Sequence, residues 1–248
     1  MAGTGAAFDP LASRYDELWT SAPAGRLQRD AVWRNVRAFF RPHHHILDLG
    51  CGTGEDSAWL LGQGIQVTAI DASPAMVSKA CERNTDARVL KVEEIDRLPG
   101  RFSGAISNFG VFNCIASPES LRANLAARFL PGAHLALCVM GRFCLWETLW
   151  FSMRGKFRKA ARRWRGVAPA DTLGISVTYH SVARLRRALA PDFDLIRIAG
   201  IGIAVPPSYV LGLPAWSFRV LAGIDRLVET LPLFPALADH RLLVFVRR

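Results

Sequence analysis

A short apolar run that ends in three alternating glycines constrains this chain more than any other feature. Residues 45–54 read His-Ile-Leu-Asp-Leu-Gly-Cys-Gly-Thr-Gly. Ile46, Leu47 and Leu49 form the continuous apolar run expected of a strand buried in a parallel sheet. Gly50, Gly52 and Gly54 then turn the chain with no Cβ in the way, so a ligand can approach bare backbone. Ala58, Leu60 and Leu61 follow as the apolar positions of a helix whose first N–H groups would face the same place. A second apolar run, residues 67–71, closes on Asp71, where a carboxylate can accept both hydroxyl hydrogens of a ribose.

The glycine spacing separates two kinds of nucleotide cofactor. Dinucleotide sites use G-x-G-x-x-G, because a pyrophosphate must rest on the helix N-terminus. Here the pattern is G-x-G-x-G, with Asp48 inside the strand. An acid beside exposed backbone suits a cofactor with an ammonium group and no phosphate. In these residues the chain resembles class I S-adenosylmethionine (SAM) dependent methyltransferases, whose first motif is D-x-G-x-G-x-G.

The resemblance runs in order through roughly the first 140 residues. It implies cofactor contacts from Asp48, Gly50, Cys51, Gly52 and Gly54 in the first motif. Residues 71–77, Asp-Ala-Ser-Pro-Ala-Met-Val, are similar to the second motif, which puts Asp71 on the ribose and Ala72, Ser73 and Met76 near the adenine. Residues 92–99 are similar to the third, with Glu94 where the family has an aspartate facing the adenine amine and Ile95 offering backbone. Residues 102–110 resemble the fourth strand and its loop, although Gly104 stands where aspartate is frequent. In that loop Asn108 is implied at the methionine end of the cofactor, with Phe109 beside it. Residues 130–140 resemble the turn and fifth strand, and residues 8–16 the segment that lays an aromatic, Tyr15, over the cofactor. Structural roles stay open for several of these residues: Asp71 can cap the helix beginning near Ser73, and Glu93 or Glu94 can be solvated loop acids.

Length and composition suit one such unit. The 248 residues are 50% hydrophobic, enough for a large α/β core and too apolar for a disordered chain. The five cysteines (Cys51, Cys81, Cys114, Cys138 and Cys144) include no C-x-x-C pair and are odd in number. They point to a reducing compartment. With no charged and then apolar leader at residues 1–7, the expectation is a cytoplasmic protein. No internal repeat or low-complexity linker divides the chain.

Periodicity gives the organisation: an N-terminal helical segment (1–41), a cofactor-binding core (42–140), a basic aromatic cap (141–180) and a C-terminal part (181–248). Residues 24–40 alternate as an amphipathic helix, and strands and helices then follow one another to Met140. That alternation implies a parallel α/β sheet, and the resemblance implies the full fold: a Rossmann-like, seven-stranded sheet, mostly parallel with one antiparallel edge strand, helices on both faces and a helical cap. Residues 145–165 read as one or two helices broken near Gly155, 175–179 as a short strand and 181–190 as a helix. Residues 195–205 and 241–246 read as strands, which the resemblance implies form an antiparallel pair at the sheet edge.

Charge is concentrated. The formal net charge is +10, and residues 142–165 hold eight basic residues against one acid, Glu147. The aromatics among them (Phe143, Trp146, Trp150, Phe151, Phe157 and Trp164) allow three readings: a solvated face over a core, a peripheral membrane contact or a nucleic-acid face. Residues 198–218 contain no charge and are long enough to span a membrane, but Pro206, Pro207 and Pro214 argue for a loop and helix beside an apolar pocket.

A sulfonium-bound methyl moves by in-line displacement, which needs alignment and exclusion of water more than acid–base machinery. For a hydroxyl acceptor, His180 is the candidate base, with a helix-capping neighbour role as its alternative. Asn113, Trp146 and Tyr179 are the candidate acceptor contacts. His43, His44 and His45 are consecutive and lack acid or cysteine partners, so no metal is expected. Ser107-Asn-Phe-Gly stands where the enzymes that methylate amino groups of nucleic-acid bases carry Asn/Asp-Pro-Pro-Phe/Tyr, which speaks against nucleic acid as the partner. The reading is methyl transfer from SAM to an oxygen or carbon of an apolar or amphipathic small molecule. An RNA or protein methyltransferase using residues 154–165, and a non-catalytic SAM-binding or membrane-interaction protein, are the alternatives.

Overall fold

The computed structural model describes residues 4–170, 174–210 and 212–248. The expectation of no charged and then apolar leader at residues 1–7 therefore falls partly outside the described residues, as does Leu211 of the apolar insertion. Nine strands are described: β1 (His45–Leu49), β2 (Gln66–Asp71), β3 (Asp86–Val89), β4 (Phe102–Ser107), β5 (Phe129–Met140), β6 (Val167–Ala170), β7 (Ile175–Thr178), β8 (Phe193–Ile201) and β9 (His240–Arg247). The helices are α1 (Thr4–Phe8), α2 (Pro23–Val36), α3 (Glu55–Gly62), α4 (Pro74–Cys81), α5 (Arg122–Arg128), α6 (Leu145–Ser152), α7 (Phe157–Ala160), α8 (Val182–Leu189) and α9 (Ala215–Val228).

Seven strands form one sheet in the order β3-β2-β1-β4-β5-β9-β8. The first five are parallel, and β9 runs antiparallel to both β5 and β8. The antiparallel strand is thus penultimate, and β8 forms the edge beyond it. Alternation along β1 explains the two layers: Leu47 and Leu49 join one buried cluster, while Ile46 joins the other on the opposite face. α2 and α3 cover the second cluster through Val32, Val36 and Leu60. α5 and α8 cover the first through Leu125, Leu185 and Leu189. Each such side chain, fully buried, contributes about 1.5–3 kcal/mol.

Local sequence sets the helix starts. Ser73 Oγ accepts from Met76 N at 3.1 Å with Pro74 in the first turn, and Ser181 Oγ accepts from Arg184 N at 3.2 Å. The glycine turn leaves β1 at the point where the strand order reverses, with β2 on one side and β4 on the other. That crevice, at the carboxyl ends of the strands, is where open parallel sheets bind ligands. After β5 the chain builds the cap: α6, α7 and a separate antiparallel hairpin of β6 and β7. β6 was not foreseen from the sequence, because Val-Ala-Pro-Ala carries no strand period. Among the described residues no helix is long and apolar enough to cross a membrane, and the apolar insertion is a loop leading into α9.

Candidate functional site

The glycine turn is held from below and open above. Gly50 N and Cys51 N both donate to Ile70 O, at 2.8 and 2.9 Å, clamping the turn onto β2. Gly50, Gly52 and Gly54 all have positive φ. Gly52 N donates to Asp71 Oδ2 at 2.9 Å and Ser73 N to Oδ1 at 2.8 Å. Each carboxylate oxygen keeps a second lone pair, and Asp71 lines the cavity described below. Burial raises the Asp71 carboxyl above its ordinary range, against the pull of those backbone donors.

A cavity of about 840 Å³ opens on this turn. One half is walled by Gly50, Gly52, Asp71, Ala72, Met76, Leu90 and the 91–94 stretch, with Phe8, Leu11, Tyr15 and Trp19 laid across it. The other half is walled by Phe109, Met140, Arg162, Arg163, Ile175, Val177, Tyr209 and His240. Of the expected cofactor residues, Tyr15, Gly50, Gly52, Asp71, Ala72, Met76, Glu94, Asn108 and Phe109 line the cavity, and Cys51 lines a small side recess next to it.

Other expected residues stand behind the wall. Asp48 is 1% exposed; its Oδ2 accepts from Ser57 Oγ at 2.6 Å, and burial, with Asp56 adding to it, pushes its carboxyl up to about 8. Gly54 starts α3, and Ser73 caps α4 while bonding Asp9. Ile95 is wholly buried in the core cluster and does not line the cavity. Glu94 lines the cavity, yet its carboxylate is turned to its own helical turn, accepting from Lys91 N at 3.3 Å and pairing with Arg97 at 2.8 Å.

The residues expected at the acceptor stand away from the cavity. His180 is 2% exposed, its Nε2 faces Phe112 O at 3.1 Å and Ile115 O at 2.9 Å, and it does not line the cavity. Its Nε2 staples the 112–115 turn, and the ring lies outside the cavity. Asn113 is likewise spent on backbone: Nδ2 donates to Met140 O and Thr178 O, and Oδ1 accepts from Met140 N. Trp146 Nε1 donates to Ala204 O at 2.9 Å, and Tyr179 is buried beneath Arg163; neither reaches the cavity.

Sequence reading missed two polar groups in the walls. Asp56 gathers Arg29 at 2.5 Å, Trp33 Nε1 at 2.7 Å and both contacts of Asn108 Nδ2 at 3.2 Å. Arg29 lies over the Phe109 ring and lines the cavity, and its Nε is buried with no partner among the described residues. The second group is under the cap. Glu147, 1% exposed, accepts from Arg162, Arg163 and Tyr209, and Arg163 also bridges to Asp239 at 2.7 Å. Burial would raise the Glu147 carboxyl, but the two guanidinium groups hold it below its ordinary range. Burial would likewise raise Asp239, yet His240 and Arg163 hold it well below. His240 Nδ1 is buried 3.4 Å from Asp239 Oδ2, and its ring meets Phe109 edge-on at 5.3 Å. The sequence signals were thin: one acid inside a basic run, and an Asp-His pair opening the last strand.

Among the described residues no group of three His, Cys, Asp or Glu side chains stands together as a metal site. Residues 17–191 match the family model described as a methyltransferase domain. The chain is 33% identical over 136 residues to a demethylmenaquinone methyltransferase of Beutenbergia cavernae, covering 52% of this chain and 55% of that one. It spans about half the length of the curated relatives it matches. Among solved structures it is similar to a methyltransferase in complex with the Haloferax volcanii Trm112 methyltransferase activator (TM-score 0.62, 18% identity, 99% and 97% of the two chains). It is also similar to the N-methyltransferase NodS of Bradyrhizobium japonicum with bound S-adenosyl-L-homocysteine (TM-score 0.59, 13% identity, 100% and 99%).

Proposed function

Because this chain belongs to the methyltransferase domain family, whose cofactor is SAM, we propose that it transfers the SAM methyl group to an oxygen or carbon of an apolar or amphipathic small molecule, of quinone, polyketide or lipid-like type. The observation that carries this is the single cavity shared by the glycine turn and a second half that reaches His240, in which Phe109, Met140, Ile175 and Val177 stand beside Arg162 and Arg163. Its volume of about 840 Å³ lies high in the ~300–1,000 Å³ range of small-molecule sites.

The residues fit the cofactor. Gly52 offers bare backbone, since a Cβ there would point into open space. Asp71 has lone pairs left for ribose hydroxyls, and Ala72, Met76, Leu90 and Val92 make an apolar slot for adenine. The unpartnered Nε of Arg29 suits the carboxylate of the methionine end. Bound SAM supplies an activated methyl group, and the chain supplies alignment and dryness. Tyr15 and Trp19 close one half, while Phe109, Met140 and Val177 exclude water from the other. For a hydroxyl acceptor, His240 takes the proton at Nε2, with Asp239 facing Nδ1 behind it. Five free cysteines agree with a cytoplasmic setting.

The rival reading of an RNA or protein substrate held by the basic run loses two of its cations, because Arg162 and Arg163 are neutralised inside the cap. Calorimetric titration with SAM, its demethylated product and NAD tests the cofactor: binding of the first two alone is expected, and binding of NAD alone overturns it. Radiolabelled methyl transfer to hydroquinones and phenols then tests the acceptor class.

A further inference from the structure

The cap has an outer surface that the cavity does not use. Residues 153–159 are seven consecutive exposed positions. Met153 and Phe157 among them are 74% and 68% exposed, unusually open for large apolar side chains. Arg154, Lys156, Arg158 and Lys159 alternate with them, and none of the four forms an ion pair among the described residues. Arg162 and Arg163, a few residues on, face inward to Glu147. A second open face runs along α9, where Trp216, Val220, Ile224 and Leu227 recur every three or four residues and so share one side of the helix. Trp216 is 70% and Leu227 77% exposed.

α6, which leads into the first face, and α9, which bears the second, meet at one loop. Ala204 O accepts from Trp146 of α6, and Ala204 N donates to Asp225 of α9 at 2.6 Å. Tyr209, in the same loop, stacks on Phe151 at the end of α6. That loop also contributes Pro207, Ser208 and Tyr209 to the cavity wall.

We propose that the 153–159 segment and the outer side of α9 together form a docking surface for an anionic lipid bilayer. Unpaired cations meet the headgroups while Met153, Phe157, Trp216 and Leu227 enter the headgroup–acyl boundary, the composition of an interfacial segment. Nucleic acid would use the cations and leave the aliphatic side of α9 idle. A second copy of the chain would bring like-charged caps together. The surface stands without the proposed methyl transfer and touches it at one point: a membrane-dissolved acceptor reaches the cavity past the 204–210 loop.

Flotation of the full chain with phosphatidylcholine vesicles, with and without phosphatidylglycerol, tests this. The chain should float with anionic vesicles, weakly or not at all with neutral ones, and less as salt is raised. Replacing Arg154, Lys156, Arg158 and Lys159 by Gln should cut partitioning more than about a hundredfold, at roughly fivefold per charge. Leu227→Asp and Phe157→Asp should each cut it about tenfold or more, and all variants should bind SAM like the parent. No flotation of a parent that binds SAM overturns the proposal. So does RNA binding, lost in the Gln variant, without flotation, or a dimer by light scattering that Leu227→Asp dissociates without flotation. A parent that floats but does not bind SAM overturns the methyltransferase reading and leaves the surface standing.

Discussion

Two glycines a single residue apart carry different duties. A Cβ on Gly54 would lie 2.9 Å from both Cα and Cβ of Ala80 in α4, whereas one on Gly52 would meet nothing within 4 Å. Both residues have positive φ, so alanine costs each about 1–2 kcal/mol of backbone strain. Gly54→Ala adds overpacking against a helix backbone, about 1–3 kcal/mol more. Urea unfolding should therefore rank Gly54→Ala as the less stable variant, while calorimetry should rank Gly52→Ala as the weaker SAM binder, its new methyl pointing at the cofactor. The reverse order would misplace the turn. Asp48 gives a pH signature at the same scale. Its carboxyl is pushed up to about 8 by burial, above the value of about 4 in an unfolded chain. The folded state thus holds a proton that the unfolded state has lost between those values, so this contribution is full below about pH 4 and is lost as pH rises toward 8. Asp48→Asn should flatten that decline and be more stable than the parent above pH 8, by an amount on the order of a few kcal/mol. Denaturation midpoints measured from pH 5 to 9 would show it, and parallel curves for parent and variant would refute it.

At the level of elements, the parallel core was readable because period and punctuation agree there: β1, the glycine turn, α3 and β2 each have one local solution. The cap was not. Its basic run reads as one face, yet α6 folds Glu147 under it, so the run splits into an outward 154–159 segment and an inward Arg162–Arg163 pair. Which histidine lines the cavity was equally hidden. His180 follows β7 and looks free in sequence, but the 112–115 turn offers it two carbonyls, while His240 reaches the cavity because β9 inserts beside β5. Two predictions belong here. Arg163→Met leaves Glu147 and Asp239 with less countercharge in the interior and should cost about 3–5 kcal/mol, read from thermal or urea unfolding. His240→Gln should slow methyl transfer to a hydroxyl acceptor by roughly 10²–10⁴ with SAM affinity unchanged. Equal single-turnover rates would end its role as the base, whereas His180→Gln should lower stability and leave the chemical step alone.

Across the whole molecule, the cavity is assembled from four stretches that no local pattern connects: the N-terminal segment, the core turns, the cap and the 204–210 loop with the start of β9. Gln28 Nε2 donates to Asp239 across 211 residues, a contact that composition and spacing do not encode. That is why the half walled by the glycine turn was largely legible as cavity lining and the half that reaches His240 was not. The assembly makes the N-terminal segment a closing piece. Tyr15 and Trp19 line the cavity, and the segment is moored by Asp16 to Arg83 and Thr53, both at 2.7 Å, and by Asp9 to Ser73. It adds few buried apolar side chains, Ala12 among them, so it can open at much lower cost than the sheet. A ligand beneath it should reverse that balance, since whatever binds the closed form stabilises it by mass action. Limited proteolysis should therefore cut within residues 4–20 before any core strand, and saturating SAM should suppress that cut selectively. A chain lacking residues 1–20 should still unfold cooperatively but bind SAM at least about tenfold more weakly, about 1.4 kcal/mol, through faster release. Full affinity in the truncated chain would mean that the segment merely lies over the cavity, and the closure would have to come from the cap instead.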